Sequence, residues 1–269
     1  MAATDPPALL VVGHVTRDEI AGELRLGGAV SYAAQAAVRL SVDTALVTVA
    51  PPDDPLLEPL RRLPGLRLHC VASDVMTTFA LAYSGTRRTL VLRRRAAPLA
   101  PADIPDAWRR APIAYVGPVT GECDRALVSS LGAAFIGAGL QGWLRRAGPD
   151  GEIEPALLPE ALDPPRVQLA VVSEEDHPDV DGVAARFAAA GAIVAITRGA
   201  RGATLIAPSG RLEIPATPAQ EIDPTGAGDV FGVVLTLRLA AGASPADAGR
   251  AGAAAAARVV EGPGLGRLR

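Results

Sequence analysis

The sequence has no lysine, so all 26 of its cationic side chains are arginine. They are outnumbered by 29 acidic side chains, which gives a formal net charge of −3 and an isoelectric point of about 5.7. Binding along a nucleic acid or to an anionic membrane surface needs a clustered excess of positive charge. The missing lysine also excludes the Gly-x-x-x-x-Gly-Lys phosphate loop, and any cationic clamp on a phosphate must be arginine. We therefore expect a small-molecule partner, with no nucleic acid and no membrane.

Aromatic residues and cysteines are also scarce. Aromatics make up 3% of the chain although hydrophobic residues make up 49%, so the core must be built from Ala, Val and Leu, which suits helices packed on a parallel sheet. Cys70 and Cys123 form no disulfide or metal pattern, and His14, His69 and His177 have no ligand spacing. No apolar run reaches the roughly 20 residues that cross a bilayer, and no signal-peptide pattern is present. We expect a soluble, cytoplasmic protein.

Strands and helices alternate along most of the chain. The first strand, Leu9 to Val12, is a continuous apolar run, and the alternation predicts an α/β fold with a mainly parallel central sheet flanked by helices. Residues 66–71 and 78–92 instead alternate in polarity, with a turn at Ser84-Gly85. This pattern predicts a two-stranded projection, either an edge of the sheet or a lid. The proline-rich segment 141–165 is predicted to be loop and short helix.

The strongest chemical signal is the run Asp223-Pro224-Thr225-Gly226-Ala227-Gly228-Asp229, just before an apolar helix predicted over residues 231–240. Its glycines let backbone amides crowd together, and free amides at the positive end of a helix dipole form a site for a phosphoryl group. Asp229 is ionised at neutral pH at its usual pKa and can take a proton from an attacking hydroxyl. Taken alone, the run is also compatible with a tight turn and a favourable helix-start acid.

This run resembles the C-terminal signature of the ribokinase-like (phosphofructokinase B-type) carbohydrate kinases, Asp-Thr-x-Gly-Ala-Gly-Asp followed by Phe, with Pro224 as the one departure. The resemblance implies a single ribokinase-like kinase domain over residues 1–269. It also implies a small β-hairpin lid, with lid strands near 18–26 and 77–93. The residues to which it assigns catalysis are Asp229, as general base, and Gly226, Ala227 and Gly228, as the anion-holding loop.

Two further segments resemble the parts of the family's kinases that bind the substrate. Gly13 to Asp18 resembles the end of the first strand, where an aspartate binds substrate hydroxyls, and Asp18 is the match; alone, it also fits an exposed turn acid. Gly27-Gly28 resembles the glycine pair that contacts substrate and hinges the lid. Tyr32 stands where relatives carry an asparagine that contacts the sugar. We therefore assign Tyr32 to substrate binding, and it favours an acceptor other than plain ribose.

The resemblance also assigns residues to ATP and to its metal ion. The run from Thr197 to Ala203 resembles the strand-turn-strand beside the nucleotide, although its spacing also fits a simple glycine hairpin. Residues 253–264 resemble the helix and Gly-rich turn that border adenine. In place of the family's Asn-x-x-Glu element the chain has Ser173-Glu174-Glu175-Asp176, so Asp176 is the candidate that acts on Mg²⁺ through bound water. The nucleotide-binding candidates are Thr197, Arg198, Gly199, Gly202, Thr225 and Gly262.

These features predict an ATP- and Mg²⁺-dependent kinase that phosphorylates a hydroxyl of a sugar, a polyol or a nucleoside. The alternative is a catalytically silent nucleotide or metabolite sensor on the same fold, motivated by the departures at Tyr32, Ser173 and Asp176; the presence of Asp229 argues against it. A Rossmann dehydrogenase is disfavoured because no Gly-x-Gly-x-x-Gly follows the first strand. Exposed strand edges invite pairing, so a homodimer through the lid hairpin is a further expectation.

Overall fold

The computed structural model describes residues 5–84 and 87–262. Gly85 of the predicted turn and Pro263-Gly264 of the predicted adenine border lie outside these residues. The described strands are β1 (Leu9–Val12), β2 (Thr16–Ile20), β3 (Glu23–Gly27), β4 (Thr44–Ala50), β5 (Leu66–Ala72), β6 (Thr77–Ser84), β7 (Arg87–Arg94), β8 (Ile113–Val116), β9 (Phe135–Gly139), β10 (Arg145–Ala147), β11 (Ile153–Pro155), β12 (Leu169–Ser173), β13 (Ile193–Thr197), β14 (Ala203–Ala207) and β15 (Gly210–Ile214). The described α-helices are α1 (Ala29–Arg39), α2 (Glu58–Arg61), α3 (Arg125–Ser129), α4 (Pro159–Leu162), α5 (Val180–Ala189), α6 (Ala227–Ala240) and α7 (Pro245–Val260). None of the described helices combines the length and the apolar character that crossing a bilayer requires.

Strand β1 lies inside a large sheet with the strand order β15-β14-β13-β12-β9-β8-β1-β4-β5. It pairs in parallel with β4 and β8, and parallel pairing continues to β5 on one side and through β9 and β12 to β13 on the other. β14 and β15 extend the sheet in antiparallel orientation. The expected mainly parallel α/β fold is confirmed. Because parallel strands share one carboxyl edge, the loops after β1, β8, β9, β12 and β13 meet there.

Both faces of β1 are buried, which explains its continuous apolar run. Leu9 and Val11 pack into a cluster with buried residues of α1 and α6, whereas Leu10 and Val12 pack into a cluster with buried residues of α3 and α5. The helices therefore cover the sheet on its two sides. This layering leaves the carboxyl edge as the open place where side chains can meet a ligand.

A second sheet, with the order β3-β2-β6-β7, is connected to β1 by three residues, Gly13 to Val15. β2 pairs antiparallel with β3 and parallel with β6, so the expected β-hairpin is one half of a four-stranded sheet. We call β2, β3, β6 and β7 the lid sheet. Residues 66–71, whose polarity also alternates, do not belong to the projection. They form β5, whose half-buried apolar side chains pack against the cluster around α1 at the edge of the large sheet.

Segment 141–165 is more regular than the sequence predicts. It contains an antiparallel hairpin of β10 and β11, and the backbone amide of Leu92 in β7 donates to the carbonyl of Gly151 at 2.7 Å. Each strand has three residues, which is too short for a period-two pattern to be recognised. The hairpin is thereby tied to the lid sheet.

Helix α6 begins at Ala227, four residues before the predicted start at Phe231. Glycine has a low helix propensity, so the sequence favoured a later start. The helix is stabilised instead by tertiary packing, because its own side chains Val230 and Val233 are fully buried. Consequently Asp229 lies inside the first helical turn.

Candidate active site

The loop before α6 presents backbone amides at the helix N-terminus. Gly226 occupies the left-handed region (φ 81°) and no side chain caps the helix. The loop itself is fixed by the amide of Thr225, which donates to Asp223 Oδ1 at 2.9 Å, and by the amide of Ala227, which donates to the carbonyl of Pro224 at 3.2 Å. First-turn amides have no intrahelical acceptor, so the amide of Gly228 is available to an anion.

Asp229 has an unusual protonation equilibrium. It is half-buried, and its burial, together with the nearby Asp176 carboxylate, raises the pKa of Asp229 to about 7, while Arg145 acts in the opposite direction. The expectation of an ordinary pKa is therefore wrong. A carboxyl group with a pKa near 7 is well matched to accept a proton at neutral pH.

Asp18 and the two glycines lie together at the inner end of the lid sheet. Thr16 pairs with Gly27 across β2 and β3, and a methyl group at Gly27 would overlap the Asp18 carboxylate. The Thr16 hydroxyl donates to Asp18 Oδ1 at 2.7 Å. Burial raises the pKa of Asp18, and this hydrogen bond opposes the shift. Gly28 has φ 89° and starts α1, and a side chain there would collide with the carbonyl of His14. The structure thus brings together the substrate side predicted from the sequence.

Tyr32 links this substrate side to the anion loop. It lies in the first turn of α1, and its ring covers Gly226 so closely that a methyl group at Gly226 would overlap it. Burial, followed by the charges of Asp18 and Asp229, raises the pKa of Tyr32 to about 12. The phenol therefore stays protonated, and both carboxylates act on it electrostatically.

Arg145 was missed by the sequence analysis. It is half-buried at the start of β10, and burial lowers its pKa while Asp176, Glu122, Asp18 and Asp229 act in the opposite direction. Arg145 thus lies within the electrostatic reach of all three predicted aspartates. The available signal was its place just after the carboxyl end of β9, but the segment was interpreted as irregular.

Glu122 is a second residue that the sequence did not reveal, and it contacts His14 at the base of the lid sheet. The buried carboxylate of Glu122 accepts the amides of His14 (3.0 Å), Val119 (2.9 Å) and Thr120 (2.7 Å). Burial alone would raise the pKa of Glu122, but its electrostatic interaction with His14 and the backbone amides of His14 and Thr120 keep it below its usual value. This carboxylate ties the loop after β1 to the loop after β8.

The ring of His14 connects β1 to the lid sheet. Its Nε2 lies 3.0 Å from the carbonyl of Ala97 and its Nδ1 lies 2.8 Å from the hydroxyl of Thr77, the first residue of β6. A carbonyl only accepts, so Nε2 carries the proton and Nδ1 accepts from Thr77, whose oxygen in turn accepts the amide of Ala96 at 3.1 Å. Burial lowers the pKa of His14, which agrees with this neutral form.

The candidate metal residue, Asp176, follows β12. Asp176 Oδ2 accepts the amide of Ser173 at 2.8 Å and Oδ1 accepts the side-chain amide of Gln141 at 3.2 Å. Burial raises the pKa of Asp176. Within residues 5–84 and 87–262, no group of three or more His, Cys, Asp or Glu side chains could hold a metal ion. The donor set therefore fits Mg²⁺ that arrives with donor phosphates, and it does not fit a resident all-protein site.

The nucleotide candidates lie on two separate connections. Thr197 ends β13, and the tight turn through Gly199 closes when the amide of Arg198 donates to the carbonyl of Gly202 at 2.8 Å. Gly202 has φ 88°, and a side chain there would overlap the end of β15. Thr225 belongs to the anion loop, which α7 supports because the amide of Asp223 donates to the carbonyl of Val260 at 3.1 Å. Gly262 follows that helix end.

The two arginines of the turn are already engaged. Arg201 forms an ion pair with Glu174, and Arg198 donates to the hydroxyl of Thr204 and lies 3.7 Å from the same Glu174. Glu174 in turn lies beside β13, where its amide donates to the carbonyl of Thr197 at 3.1 Å. These arginines stabilise the turn, in agreement with the simpler glycine-hairpin interpretation.

The C-terminal part of the chain matches a known protein family. Residues 157–268 match the family model described as pfkB family carbohydrate kinase. This span holds the anion loop, Asp229 and the turn after β13. No curated protein matches the sequence.

Solved structures with the same fold cover almost the whole chain. A pyrophosphate-dependent kinase in the ribokinase family, described in a sulfate complex, has a TM-score of 0.82 and 21% identity, with 97% of each chain covered. Another structure, of a pyrophosphate-dependent kinase complexed with a pyrophosphate analog and myo-inositol, has a TM-score of 0.81 and 20% identity, with 97% of each chain covered. The fructokinase from Vibrio cholerae O395, with fructose, ADP and calcium bound, has a TM-score of 0.70 and 18% identity, over 99% of this chain and 96% of that one. The chain therefore has the ribokinase-like fold, and its resemblance to the pfkB-type carbohydrate kinases is confirmed.

Proposed function

We propose that the protein is a small-molecule kinase that transfers the γ-phosphoryl group of ATP to a hydroxyl of a sugar, a polyol or a nucleoside. The observation that carries the proposal is the position of Asp229. It lies in the first turn of α6 beside the amide of Gly228, and the Tyr32 ring on Gly226 is within the electrostatic influence of Asp18 and Asp229. A base, an anion site and a hydroxyl-binding carboxylate are the three groups that this reaction needs.

In the proposed reaction Asp18 and the backbone of Gly27 and Gly28 bind the acceptor. Asp229 takes the proton of the attacking hydroxyl as its oxygen forms a bond to phosphorus. The bond from phosphorus to the bridging oxygen of the donor breaks, and ADP leaves with the electron pair. The loop of Gly226, Ala227 and Gly228 stabilises the negative charge on the phosphoryl oxygens through the amide of Gly228, since that of Ala227 already donates to Pro224.

Mg²⁺ is the metal we assign to this reaction, and it neutralises charge on the donor phosphates when it is bound. Asp176 is the residue that would hold it, through bound water, because both carboxylate oxygens already accept hydrogen bonds from the protein. The lid sheet carries Asp18 near its connections to β1 and α1, so closure of its far end over the acceptor would exclude water. In this proposal residues 1–269 act as one kinase domain.

Pyrophosphate is a second candidate donor. The specific observation in its favour is that two of the structures with high TM-scores are described as pyrophosphate-dependent kinases. Both donors present a terminal phosphoryl group to the same anion loop. The two donors differ in the group attached to that phosphoryl group. Only ATP carries an adenosine, which the residues around Thr197 and Gly262 would bind.

The test uses purified protein, MgCl₂, either ATP or pyrophosphate, and a panel of sugars, polyols and nucleosides. Phosphorylated product is detected by mass spectrometry, so that the readout does not depend on the donor. We expect acceptor-dependent product with one donor, and a loss of ~10²–10⁴-fold in kcat for Asp229→Asn. Tight donor binding by both proteins without turnover on any acceptor would instead favour the sensor. Failure to bind either donor would exclude both functions.

A further inference from the structure

Four segments of the chain connect the lid sheet to the rest of the fold, and all four pass beside His14. The segment Gly13 to Val15, which leads into β2, contains His14 itself. Gly28, which follows β3, lies so close to the carbonyl of His14 that a side chain there would collide with it. Thr77 starts β6 and meets Nδ1 of the His14 ring at 2.8 Å, and Ala97, beyond β7, meets Nε2 at 3.0 Å. His14 therefore lies at the junction of the lid sheet with the large sheet.

The carboxylate of Glu122 holds this junction from the side of the large sheet. Its Oε1 accepts the amide of His14 at 3.0 Å and its Oε2 accepts the amide of Thr120 at 2.7 Å, while both oxygens accept the amide of Val119, at 2.9 and 3.0 Å. The backbone carbonyl of Glu122 also accepts the amide of Leu99, in the segment that leaves β7, at 3.0 Å. One residue thus joins the loop after β8 to two of the connections of the lid sheet.

Stability alone does not explain a carboxylate at this point. Glu122 is fully buried, and replacing buried charged groups by well-packed apolar side chains is often neutral or stabilising. What the carboxylate supplies, and an apolar side chain cannot, is a set of hydrogen-bond acceptors for backbone amides of two different loops. Glu122 therefore fixes the position of the loop after β1 relative to the loop after β8.

The position of His14 is passed on to Asp18, the carboxylate that we assign to the acceptor. Asp18 follows His14 closely in the chain, on β2. Thr16, whose hydroxyl donates to Asp18 at 2.7 Å, pairs with Thr77 of β6. The two neighbouring strands β2 and β6 thus both begin at contacts of His14, so a shift of His14 would move Asp18 together with both strands.

Resting on the kinase function proposed above, we propose that Glu122 is a positioning residue for acceptor binding. Through the amide of His14 it fixes the orientation of the lid sheet relative to the large sheet, and therefore the place of Asp18 in the cleft. Glu122 itself does not touch the acceptor. Its carboxylate acts as a fixed acceptor of hydrogen bonds, and no proton or bond is transferred to it.

The kinetic test compares Glu122→Gln with Glu160→Gln. A side-chain amide has only one accepting oxygen, so Glu122→Gln loses its hold on one of the two loops. Glu160 is the other buried glutamate within residues 5–84 and 87–262 (8% exposed) and lies in the first turn of α4, so it is the matched control. If Glu122→Gln does not fold, Glu122→Asp, which is shorter by one methylene group, replaces it.

We expect Glu122→Gln to raise the acceptor KM by ~10-fold or more and to leave kcat and the donor KM within ~3-fold of the wild type, because Asp229 and the anion loop belong to α6. Glu160→Gln should match the wild type in all three constants. A smaller folded fraction would lower kcat and leave the acceptor KM unchanged, and that result would overturn the proposal.

A double-mutant cycle tests whether Glu122 acts through His14. Thr77→Val keeps the branched shape of the side chain and removes the hydroxyl group that meets the His14 ring. We expect the double variant Glu122→Gln/Thr77→Val to raise the acceptor KM by no more than ~3-fold beyond the larger single effect, since both changes act on one connected unit. A double effect equal to the product of the two single effects would overturn the role of His14.

Amide hydrogen exchange gives a readout that does not depend on turnover. We expect exchange in residues 16–27 of the lid sheet to become ~10-fold or more faster in Glu122→Gln, while exchange in residues 227–240 of α6 stays unchanged. Equal acceleration in both segments, or none in residues 16–27, would overturn the proposal. Absence of wild-type turnover would contradict the kinase function, and the exchange measurement would then decide by itself whether Glu122 orients the lid sheet.

Discussion

The ring of Tyr32 lies directly against the backbone of Gly226, so the first turn of α1 and the loop before α6 form one surface. Gly226 also has φ 81°, a conformation that L side chains rarely adopt. Two independent constraints therefore require a glycine here. By contrast, nothing lies within 4 Å of a methyl group placed on Gly228.

We predict that Gly226→Ala lowers the free energy of unfolding by ~1–3 kcal/mol, because it strains the backbone and displaces Tyr32. Gly228→Ala is the matched control and should leave stability unchanged or raise it by up to ~1 kcal/mol, since Gly228 is helical. Urea denaturation of both variants measures the difference. Equal stabilities would contradict the strain at Gly226.

The pKa of Asp229 predicts the pH dependence of activity. The base must be ionised, so kcat/KM should rise with pH through an apparent pKa of about 7 and level off above it. An ordinary aspartate would give a profile that is flat from pH 5 upwards. The measurement is the initial rate at low acceptor concentration from pH 5 to 9, with donor and Mg²⁺ saturating.

The same carboxyl group predicts a pH-dependent effect on stability. Its folded-state pKa of about 7 lies above the ordinary value of 3.8, so the stability that it contributes is present at low pH and is lost as pH rises through 7. Asp229→Asn removes this titration. We expect the melting temperature of the variant to exceed that of the wild type more at pH 8 than at pH 5. The same difference in melting temperature at both pH values would show that burial does not raise the pKa of Asp229.

The hydroxyl of Tyr32 provides a test of acceptor recognition. Tyr32→Phe keeps the ring over Gly226 and removes only the hydroxyl group, whose pKa Asp18 and Asp229 raise. We predict a 3- to 10-fold increase in acceptor KM, about the effect of one neutral hydrogen bond, with an unchanged donor KM. An unchanged acceptor KM would remove Tyr32 from the substrate side.

The contacts of His14 predict a large cost for its removal. His14→Ala leaves the hydroxyl of Thr77 and the carbonyl of Ala97 without their buried partner, and we expect a loss of ~2–4 kcal/mol in stability. Thr77→Ser is the control, because it retains the hydroxyl group and should cost less than ~1.5 kcal/mol. Chemical denaturation of both variants decides whether the hydroxyl contact or general packing dominates.

Short-range patterns predicted the elements that a continuous apolar run, or a cluster of glycine and proline, identifies. β1 was clear because both of its faces are buried, and the run from Asp223 to Asp229 was clear because glycine and proline restrict the backbone there. The start of α6 was placed too late because tertiary burial, and not helix propensity, stabilises its first turn. The alternation of strand β5 did not decide between an edge of the large sheet and a lid, because alternation does not identify a pairing partner.

Arg145 and Glu122 could not be found in this way. Glu122 acts on the amide of His14, 108 residues away, and Arg145 acts on Asp229 and Asp18 from a strand of three residues. No short-range pattern encodes such contacts. The raised pKa of Asp229 was missed for the same reason, since it arises from burial and from Asp176, which is distant in sequence.

The short connections of the lid sheet limit the ways in which it can move. Only Gly13 to Val15 separate β1 from β2, and only Gly28 separates β3 from α1. At ~3.3–3.6 Å per residue these tethers cannot stretch, so the sheet cannot slide along the cleft or lift away from it. The remaining freedom is a tilt about these two anchors. A tilt moves the far end of the lid sheet most and Asp18, close to the anchors, least, so an acceptor could enter and leave while its binding carboxylate keeps nearly the same position.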